Sequence, residues 1–257
     1  MPVDPPPSSF RARVLSRETL IGTFVSGGSP AFAEICAAAG FDWVVIDLEH
    51  GYGTEGDLAA QLDAVAGRSF AVVRPQSGER LRIGRALDLG APGIMVPRLD
   101  TPEEVTEAVT YLRYPPDGVR GVALMTRGGG LGTVSHDGVA GLNRSIVGVV
   151  QIESPVAVRN AAAIAAIDGV DVLFVGPSDL SHSMGIPGRL DEPAFDEALQ
   201  AVVRGAESAG KAAGILLRTG ADLDRYVELG YRFIGIGSDL NFAGDGARAV
   251  VADARSR

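Results

Sequence analysis

Lysine and cysteine are nearly absent from this chain of 257 residues, which contains one of each, Lys211 and Cys36. A single cysteine excludes an internal disulfide and a thiolate metal cluster. The chain also lacks an apolar run near the roughly 18 residues of a membrane span, and its first residues lack the apolar core of a secretion signal. Acidic residues outnumber basic ones, and the net charge of −9 argues against nucleic acid or anionic membranes as partners. These absences predict a soluble, cytoplasmic protein.

Length and apolar content fit one large domain of the α/β class. Hydrophobic residues make up 46% of the chain, enough for a full core, and α/β barrels commonly occupy about 250 residues. We therefore expect residues 1–257 to form a single barrel domain. The proline-rich residues 1–9 are expected to be disordered.

One local pattern recurs along the chain: a helix, a glycine, and then a short apolar strand, as in AAAGFDWVVID and VELGYRFIGIG. The glycines at 40, 90, 210 and 230 fit the left-handed residue that follows a helix. Alternating strands and helices indicate parallel βαβ units, and eight of them predict a (β/α)8 TIM barrel. An open doubly wound sheet is the alternative, disfavoured because no G-x-G-x-x-G follows the first strand. The predicted strands are residues 21–25, 43–47, 70–74, 93–97, 147–153, 171–175, 212–217 and 232–237, and the predicted helices are 30–39, 55–66, 79–89, 102–112, 155–166, 193–209, 220–229 and 239–254.

Two acidic residues end consecutive predicted strands: Glu153 follows VGVVQI, and Asp179 comes just after VDVLFVG. The carboxyl ends of parallel strands lie at one face, so we expect the two carboxylates to be close together. Such a pair in apolar surroundings requires a proton or a cation. Ligands that are all oxygen favour Mg²⁺ or Mn²⁺, with Co²⁺ as a further candidate. For either acid taken alone, the simpler interpretation is a surface carboxylate that caps the following helix.

Other polar residues collect at the same predicted face, where barrel enzymes keep their active sites. Strand 2 is followed by Asp47, Glu49 and His50, and strand 3 ends in Arg74. A partly buried arginine requires an anion, so a carboxylate or an enolate is a plausible partner. His50 has an alternative interpretation as a solvated loop histidine. The turn 176–178 exposes backbone N–H groups that could hold a substrate carboxylate.

The remaining candidates carry weaker signals. Lys211 precedes predicted strand 7 and so lies at the opposite face, whereas a Schiff-base aldolase needs a lysine at the catalytic end. His136 lies in the long loop 113–146 with no evident partner, and His182, which follows the predicted metal-binding loop, is expected at most to line the pocket. The glycine-rich segment 113–146 follows strand 4, and a loop of this length over the catalytic face could cover or shape the pocket.

Taken together, these motifs resemble the HpcH/HpaI family of metal-dependent class II pyruvate aldolases, which includes 4-hydroxy-2-oxoheptanedioate aldolase, 2-dehydro-3-deoxyglucarate aldolase and macrophomate synthase. The resemblance covers about residues 20 to 240, in the expected order. One departure follows His50, where HGYGTEG replaces the HGPND-like sequence of many relatives, and it concerns the loop that contacts the aldehyde. The motifs that carry the resemblance are FDWVVIDLEHG, VVRP, ALDLGAPGIMVPRLDTPEE, RYPPDGVRG, VVQIESP and VLFVGPSDLS.

The resemblance implies how the 2-oxo acid is held. Glu153 and Asp179 would bind the divalent metal, and Arg74 would contact pyruvate and the oxygen of its enolate. The pyruvate carboxylate would lie against the turn Gly176-Pro177-Ser178 and the backbone of Ser178 and Asp179. The barrel would be of the phosphoenolpyruvate/pyruvate-domain type.

The resemblance also implies an acid/base and an assembly. His50 would move the proton of the substrate hydroxyl, paired with Asp88 from the ALDLG motif. The family barrel typically forms a hexamer, a trimer of dimers, so we expect a homo-oligomer. The last helix, in residues 239–257, would be exchanged between neighbouring subunits.

The implied activity is reversible aldol cleavage of 4-hydroxy-2-oxo acids to pyruvate and an aldehyde. An oxaloacetate decarboxylase and a macrophomate-synthase-like enzyme that forms carbon–carbon bonds are the alternatives, because they would use the same residues. A citramalyl- or malyl-CoA lyase is more distant, since this acidic chain offers no evident basic surface for CoA. A non-catalytic protein that binds pyruvate or metal is the remaining alternative, disfavoured by the presence of both acids together with Arg74 and His50.

Overall fold

Eight parallel strands close into a barrel in the computed structural model, which describes residues 9–257. Each strand pairs with the next one along the chain, and β8 pairs with β1. The predicted (β/α)8 barrel is confirmed, and the open doubly wound sheet is excluded because the sheet closes on itself. The strands are β1 (Leu20–Val25), β2 (Trp43–Asp47), β3 (Phe70–Arg74), β4 (Gly93–Val96), β5 (Val147–Ile152), β6 (Val172–Val175), β7 (Ala212–Leu217) and β8 (Tyr231–Ser238).

Helices surround the barrel, and their ends follow the signals in the sequence. Thr101 and Glu104 form the expected capping box, in which the Thr101 hydroxyl accepts from the Glu104 N–H at 3.2 Å and the Glu104 carboxylate accepts from the Thr101 N–H at 3.0 Å. The glycines at 40, 90, 210 and 230 all have positive φ, as predicted. No helix in residues 9–257 is long and apolar enough to cross a membrane. The helices are α1 (Phe10–Leu15), α2 (Pro30–Ala38), α3 (Glu55–Val65), α4 (Arg80–Asp88), α5 (Pro102–Leu112), α6 (Val139–Leu142), α7 (Pro155–Arg159), α8 (Ala161–Ala165), α9 (Pro177–Ser183), α10 (Pro193–Ser208), α11 (Leu223–Leu229) and α12 (Asp239–Arg255), with 3₁₀ turns at His136–Gly138 and Gly220–Asp222.

Aromatic side chains fill the interior of the barrel. Trp43 stacks on Phe233 with ring centroids 4.0 Å apart, and Phe174 packs edge-on against both rings. The indole fits only because Gly22 has no side chain: a Cβ there would lie 2.0 Å from the Trp43 ring. Because these aromatic rings fill the interior, a cavity within the barrel can open only at the carboxyl ends of the strands. A second, larger core lies between the strands and the surrounding helices.

The amino end of the barrel is closed by α1, a helix that the sequence pattern did not predict. Phe10 stacks on Phe70 at 4.0 Å, and the guanidinium of Arg11 donates twice to the buried carboxylate of Asp171, at 2.9 Å each. Ser9 caps this helix through its side chain. Apart from Ser9, the segment predicted to be disordered lies outside the described residues.

Two further predictions about local structure need correction. The single helix predicted over 155–166 is two short helices, α7 and α8, divided at Asn160, whose side chain donates to the Asp100 carbonyl at 2.8 Å. In addition, β6 is followed at once by the short helix α9, which was not predicted. Both differences lie beside the carboxyl ends of β5 and β6, so they shape the site described below.

The final helix, α12, is exposed along almost its entire length. Asp239 at its first position is its one buried residue. Phe242, Val250 and Val251 are apolar residues of this helix that remain exposed. Only the first part of α12 is therefore anchored to its own barrel.

Candidate active site

A cavity of about 660 Å³ opens at the carboxyl ends of the strands. Phe24 and Phe174, which belong to the aromatic interior, form its apolar base. Its sides come from the ends of β2, β3 and β5 to β8 and from the first turns of α9 and α12. The predicted site residues that line it are His50, Arg74, Glu153, Gly176, Pro177, Ser178 and Asp179.

Arg74 is fixed in this cavity by Asp47 on the neighbouring strand. Its Nε donates to Asp47 Oδ1 at 2.9 Å and its Nη2 to Oδ2 at 2.8 Å, a two-point contact that sets the plane of the guanidinium. Both residues are buried. Burial opposes ionisation of Asp47, but the hydrogen bonds and charge of Arg74 outweigh it and hold the pKa of Asp47 below its ordinary value. The guanidinium has further N–H groups, which are available to other acceptors.

Further contacts complete the surroundings of Arg74. Its Nη1 lies 3.1 Å from Glu49 Oε2 and 3.4 Å from Gln151 Oε1. The guanidinium carbon is 5.2 Å from the centroid of the Phe24 ring, within the range of a cation–π contact. The arginine is thus held from several sides before any substrate arrives.

Glu153 occupies an electrostatically unfavourable position. Burial, followed by the negative charges of Asp179 and Glu49, raises the pKa of Glu153 to about 7. Gln151 Nε2 donates to Glu153 Oε1 at 2.6 Å and orients the carboxylate. The charges of Arg74 and Arg98 oppose this rise without cancelling it, so the protein balances only part of the negative charge around Glu153.

The turn after β6 brings backbone and acid together. Gly176 precedes α9, whose first residues are Pro177, Ser178 and Asp179. The N–H groups in the first turn of a helix have no partner within the helix. Ser178 and Asp179 lie in this turn and line the cavity. A Cβ on Gly176 would lie 2.5 Å from Glu153 Oε1, so only glycine leaves room for that carboxylate.

His50 stands at the edge of the same cavity. Its side chain is 65% exposed, and its Nε2 lies 3.8 Å from Glu49 Oε2. Its backbone N–H donates to Asp47 Oδ1 at 3.2 Å, which ties the loop after β2 to the pair formed by Asp47 and Arg74. The structure therefore places His50 beside the site, with an imidazole that solvent and substrate can both reach.

Asp88 is not brought to His50 within one chain. It lies at the end of α4 beside a second, smaller cavity of about 290 Å³, where its Oδ1 accepts from Arg120 Nη2 at 3.2 Å. Segment 113–146 packs on this outer side, since Arg127 is ion-paired with Asp63 of α3. Contrary to the prediction for this segment, none of its residues lines the main cavity of the same chain.

The lysine and the two histidines for which the sequence predicts no chemical role do not line the cavity, and His182 therefore differs from the expectation that it could line the pocket. Lys211 immediately precedes β7, at the amino end of the barrel. His136 lies in a 3₁₀ turn, and the Nδ1 of His182 is 2.7 Å from the Ser178 carbonyl oxygen. None of the three lines the cavity.

The sequence did not identify several residues that line the cavity. Gln151 is the clearest, because it links Glu153 to Arg74, and its signal was a polar residue within an otherwise apolar strand. The sequence predicts Asp47 as a polar strand end, but no local pattern indicates that it holds Arg74. Arg218, Ser238 and Asn241 line the outer part of the cavity. They lie after β7, at the end of β8 and in the first turn of α12, where the sequence shows no motif with an evident chemical role.

The donor set fits a divalent cation. Glu153 and Asp179 present carboxylate oxygens to one cavity, and burial followed by the negative charges of Asp179 and Glu49 raises the pKa of Glu153, a situation that a bound cation would relieve. Within residues 9–257, no group of three or more His, Cys, Asp and Glu side chains converges on one point. An ion here would therefore have few protein ligands and keep positions free for substrate, as is usual for Mg²⁺.

Fold and site together define a class: an enzyme built on a (β/α)8 barrel, with its polar residues at the carboxyl ends of the strands. Comparison with known families is more specific. The model of the HpcH/HpaI aldolase/citrate lyase family matches residues 20–245, and the chain belongs to this family. It is therefore an aldolase-type lyase, and the resemblance found in its motifs is confirmed.

Individual relatives support the same assignment. The chain is 42% identical over 235 residues to the 5-keto-4-deoxy-D-glucarate aldolase of Klebsiella pneumoniae, covering 91% of each chain. Its structure is similar to that of an HpcH/HpaI aldolase/citrate lyase family protein from Burkholderia cenocepacia, with 37% identity, a TM-score of 0.90, and coverage of 95% of this chain and 98% of the other. It is also similar to macrophomate synthase, with 29% identity, a TM-score of 0.82, and coverage of 96% and 89%.

Proposed function

We propose that this enzyme cleaves 4-hydroxy-2-oxo acids reversibly into pyruvate and an aldehyde, with a divalent cation as cofactor. The observation that carries the proposal is the position of Arg74, fixed by Asp47 in a cavity that also holds Glu153 and Asp179. An enolate-forming site requires a fixed positive charge, here the guanidinium of Arg74, beside carboxylates that can bind a metal ion. Membership of the aldolase family agrees with this chemistry.

Glu153 and Asp179 would hold the cation, which is Mg²⁺ or Mn²⁺, with Co²⁺ as a further candidate. When bound, such an ion draws electron density from the 2-oxo acid and favours formation of the enolate. Gln151 supports this role of Glu153, because its amide holds one carboxylate oxygen and leaves the other free.

The protein groups then act on defined parts of the substrate. The free N–H groups of Ser178 and Asp179, after the turn Gly176-Pro177, bind the carboxylate of the 2-oxo acid. Arg74 donates to the oxygen at C2, where negative charge develops. As the C3–C4 bond breaks, its electron pair moves into the enolate, the aldehyde departs, and C3 is protonated to give pyruvate.

His50 accepts the proton of the 4-hydroxyl as the bond breaks, directly or through one water. Its exposed position suits a base that serves substrates with aldehyde halves of different length. Pairing of His50 with Asp88 would require a neighbouring subunit, since Asp88 lies in the second cavity of its own chain.

We also propose that the protein forms a homo-oligomer, specifically a hexamer. Val250 and Val251 of α12 are exposed, and Phe242, which stacks on Phe41, is only partly covered by its own chain. Exchange of α12 between subunits would bury this surface, which is a large gain for exposed apolar side chains.

We further propose that the substrate class includes 5-keto-4-deoxy-D-glucarate, the compound named for the relatives of this chain. Numbered from its 2-oxo end, this compound carries a hydroxyl at C4 and a second carboxylate at C6. Cleavage between C3 and C4 yields pyruvate and 2-hydroxy-3-oxopropanoate, so it fits the reaction described.

An oxaloacetate decarboxylase or an enzyme that forms carbon–carbon bonds is the second candidate. The structural similarity to macrophomate synthase favours it. Both reactions would pass through the same enolate at Arg74, so the aldol reaction must be tested against them with substrates rather than inferred from residues. A panel of 4-hydroxy-2-oxo acids and oxaloacetate separates the candidates.

The test begins with the purified enzyme treated with a chelator. We expect pyruvate release from 5-keto-4-deoxy-D-glucarate to stop and to return when Mg²⁺, Mn²⁺ or Co²⁺ is added. Glu153→Gln and Asp179→Asn should each lose metal binding measured by calorimetry, while Glu197→Gln, on the exposed face of α10, should not. Full turnover after exhaustive chelation would rule out the metal, and turnover of oxaloacetate alone would favour the second candidate.

A further inference from the structure

The outer part of the cavity carries a second arginine. Arg218 directly follows β7 and lines the cavity with an exposed side chain. Among residues 9–257, no carboxylate forms an ion pair with it, whereas Arg74, the other arginine of the cavity, is bound to Asp47. Arg218 is therefore a cation in the cavity whose charge the protein leaves available.

The barrel places the two arginines opposite each other. Arg74 ends β3 and Arg218 follows β7, and these strands are half the barrel apart in the closed order from β1 to β8. The acids of the site, Glu153 and Asp179, belong to the ends of β5 and β6, between the two arginines. A substrate held at its 2-oxo end by Arg74 can extend its other end toward Arg218.

The charges of the cavity residues determine which substrate group can bind beside Arg218. Glu153 and Asp179 place two carboxylates in the cavity just after β5 and β6, so a second substrate carboxylate is repelled from there. At Arg218 the same carboxylate meets a planar guanidinium, which binds carboxylates with two parallel hydrogen bonds. Ser238 and Asn241, which also line the cavity, are neutral. The Ser238 hydroxyl donates to Asn241 Oδ1 at 2.9 Å, which leaves the side-chain N–H groups of Asn241 to bind substrate hydroxyl groups.

We propose that Arg218 binds the carboxylate at the aldehyde end of the substrate and makes the enzyme selective for 4-hydroxy-2-oxo acids that end in a second carboxylate. This inference rests on the aldolase function proposed above. In this proposal, Arg218 distinguishes substrates whose aldehyde half carries a carboxylate from those whose aldehyde half is neutral.

The test uses the condensation of pyruvate with two aldehydes of the same carbon skeleton, 2-hydroxy-3-oxopropanoate and glyceraldehyde, which differ in a terminal carboxylate or CH₂OH. We expect Arg218→Gln to lower kcat/KM for the carboxylate aldehyde by roughly 10- to 100-fold, the range for a lost charge-assisted contact. Its effect should fall mainly on KM. Activity with glyceraldehyde and oxaloacetate decarboxylation should stay unchanged, Arg218→Lys should recover part of the loss, and Arg204→Gln, an exposed arginine of α10, should behave as wild type.

Four results would overturn the assignment. Equal losses for both aldehydes, or no loss for either, would remove the selective role of Arg218. If the wild type prefers glyceraldehyde 3-phosphate and Arg218→Gln loses that preference, then Arg218 binds a phosphate rather than a carboxylate. A wild-type enzyme that condenses neither aldehyde would overturn the proposed function and this assignment together, whereas losses in the variant alone concern only Arg218.

Discussion

Gly176 and Glu153 are in contact across the ends of β6 and β5: a Cβ on Gly176 would lie 2.5 Å from Glu153 Oε1. The φ of Gly176 is −95°, which any residue can adopt, so its importance is steric. The missing side chain is what lets the carboxylate of Glu153 lie against the turn that begins α9. The position of a proposed metal ligand thus depends on a neighbouring glycine.

The first prediction follows from this contact. Gly176→Ala should push the Glu153 carboxylate aside and weaken divalent metal binding by at least tenfold, about 1.4 kcal/mol, with the barrel still folded. Metal titration by calorimetry, alongside circular dichroism, measures both effects. The control is Gly84→Ala in α4, where a Cβ would meet no atom within 4 Å. Unchanged metal affinity in Gly176→Ala would show that Glu153 is not a ligand in the position described.

The second prediction separates Arg74 from His50. Both aldol cleavage and oxaloacetate decarboxylation form the enolate that Arg74 stabilises, so Arg74→Gln should slow both, by about 3 kcal/mol of transition-state stabilisation. His50 moves a proton that only the aldol reaction has. His50→Ala should therefore reduce aldol cleavage by roughly 10²-fold and spare much of the decarboxylation.

Comparing both rates within each variant provides the control, because a folding defect lowers both. Arg74→Gln also leaves Asp47 buried without its partner, so its free energy of unfolding should fall by about 3–5 kcal/mol, and its rates must be measured well below its melting temperature. Equal loss of both reactions in His50→Ala, with metal binding intact, would assign His50 to the enolate or the metal site instead of the aldol proton.

The third prediction concerns lysine. Lys211 precedes β7 at the amino end of the barrel and does not line the cavity, so borohydride should not trap pyruvate on the enzyme. Lys211→Arg should keep most of the activity. Mass spectrometry after reduction in the presence of pyruvate is the measurement, and an adduct on Lys211 would show that the reaction proceeds through a Schiff base.

The fourth prediction is a dependence of stability on pH. Burial disfavours the charge on Asp47, but Arg74 more than offsets it and the pKa of Asp47 lies below its ordinary value. A carboxylate of this kind stabilises the fold above its unfolded pKa of about 3.9 and loses that contribution as the pH falls through the lower folded value. The difference in unfolding free energy between wild type and Asp47→Asn should thus be full at neutral pH and shrink below about pH 3.9.

Urea denaturation across this pH range measures the effect, with Asp224→Asn on the exposed face of α11 as the matched control. A difference between wild type and Asp47→Asn that stays constant into the acid range would mean that the pair with Arg74 does not contribute through its charge.

Much of the architecture can be predicted from local sequence patterns. Apolar strands alternating with helices, and glycines that stop those helices, predicted all eight βα units, and the capping box at Thr101 was correct in detail. Errors occurred where tertiary contacts override local preference. Asn160 divides the Ala-rich helix after β5 because its side chain binds the Asp100 carbonyl, a contact with another βα unit.

The sequence by itself determined that the ends of all eight strands lie at one face, because in parallel strands the last residue of every strand lies at the same end of the barrel. For that reason the sequence alone predicts that Arg74, Glu153 and Asp179 share one cavity. Only the tertiary structure decided how these groups interact: that Asp47 holds Arg74, that Asp88 faces a second cavity, and that Arg218 lies across the mouth from Arg74. These relationships depend on distances across a closed barrel between residues far apart in the chain, and no local pattern encodes such distances.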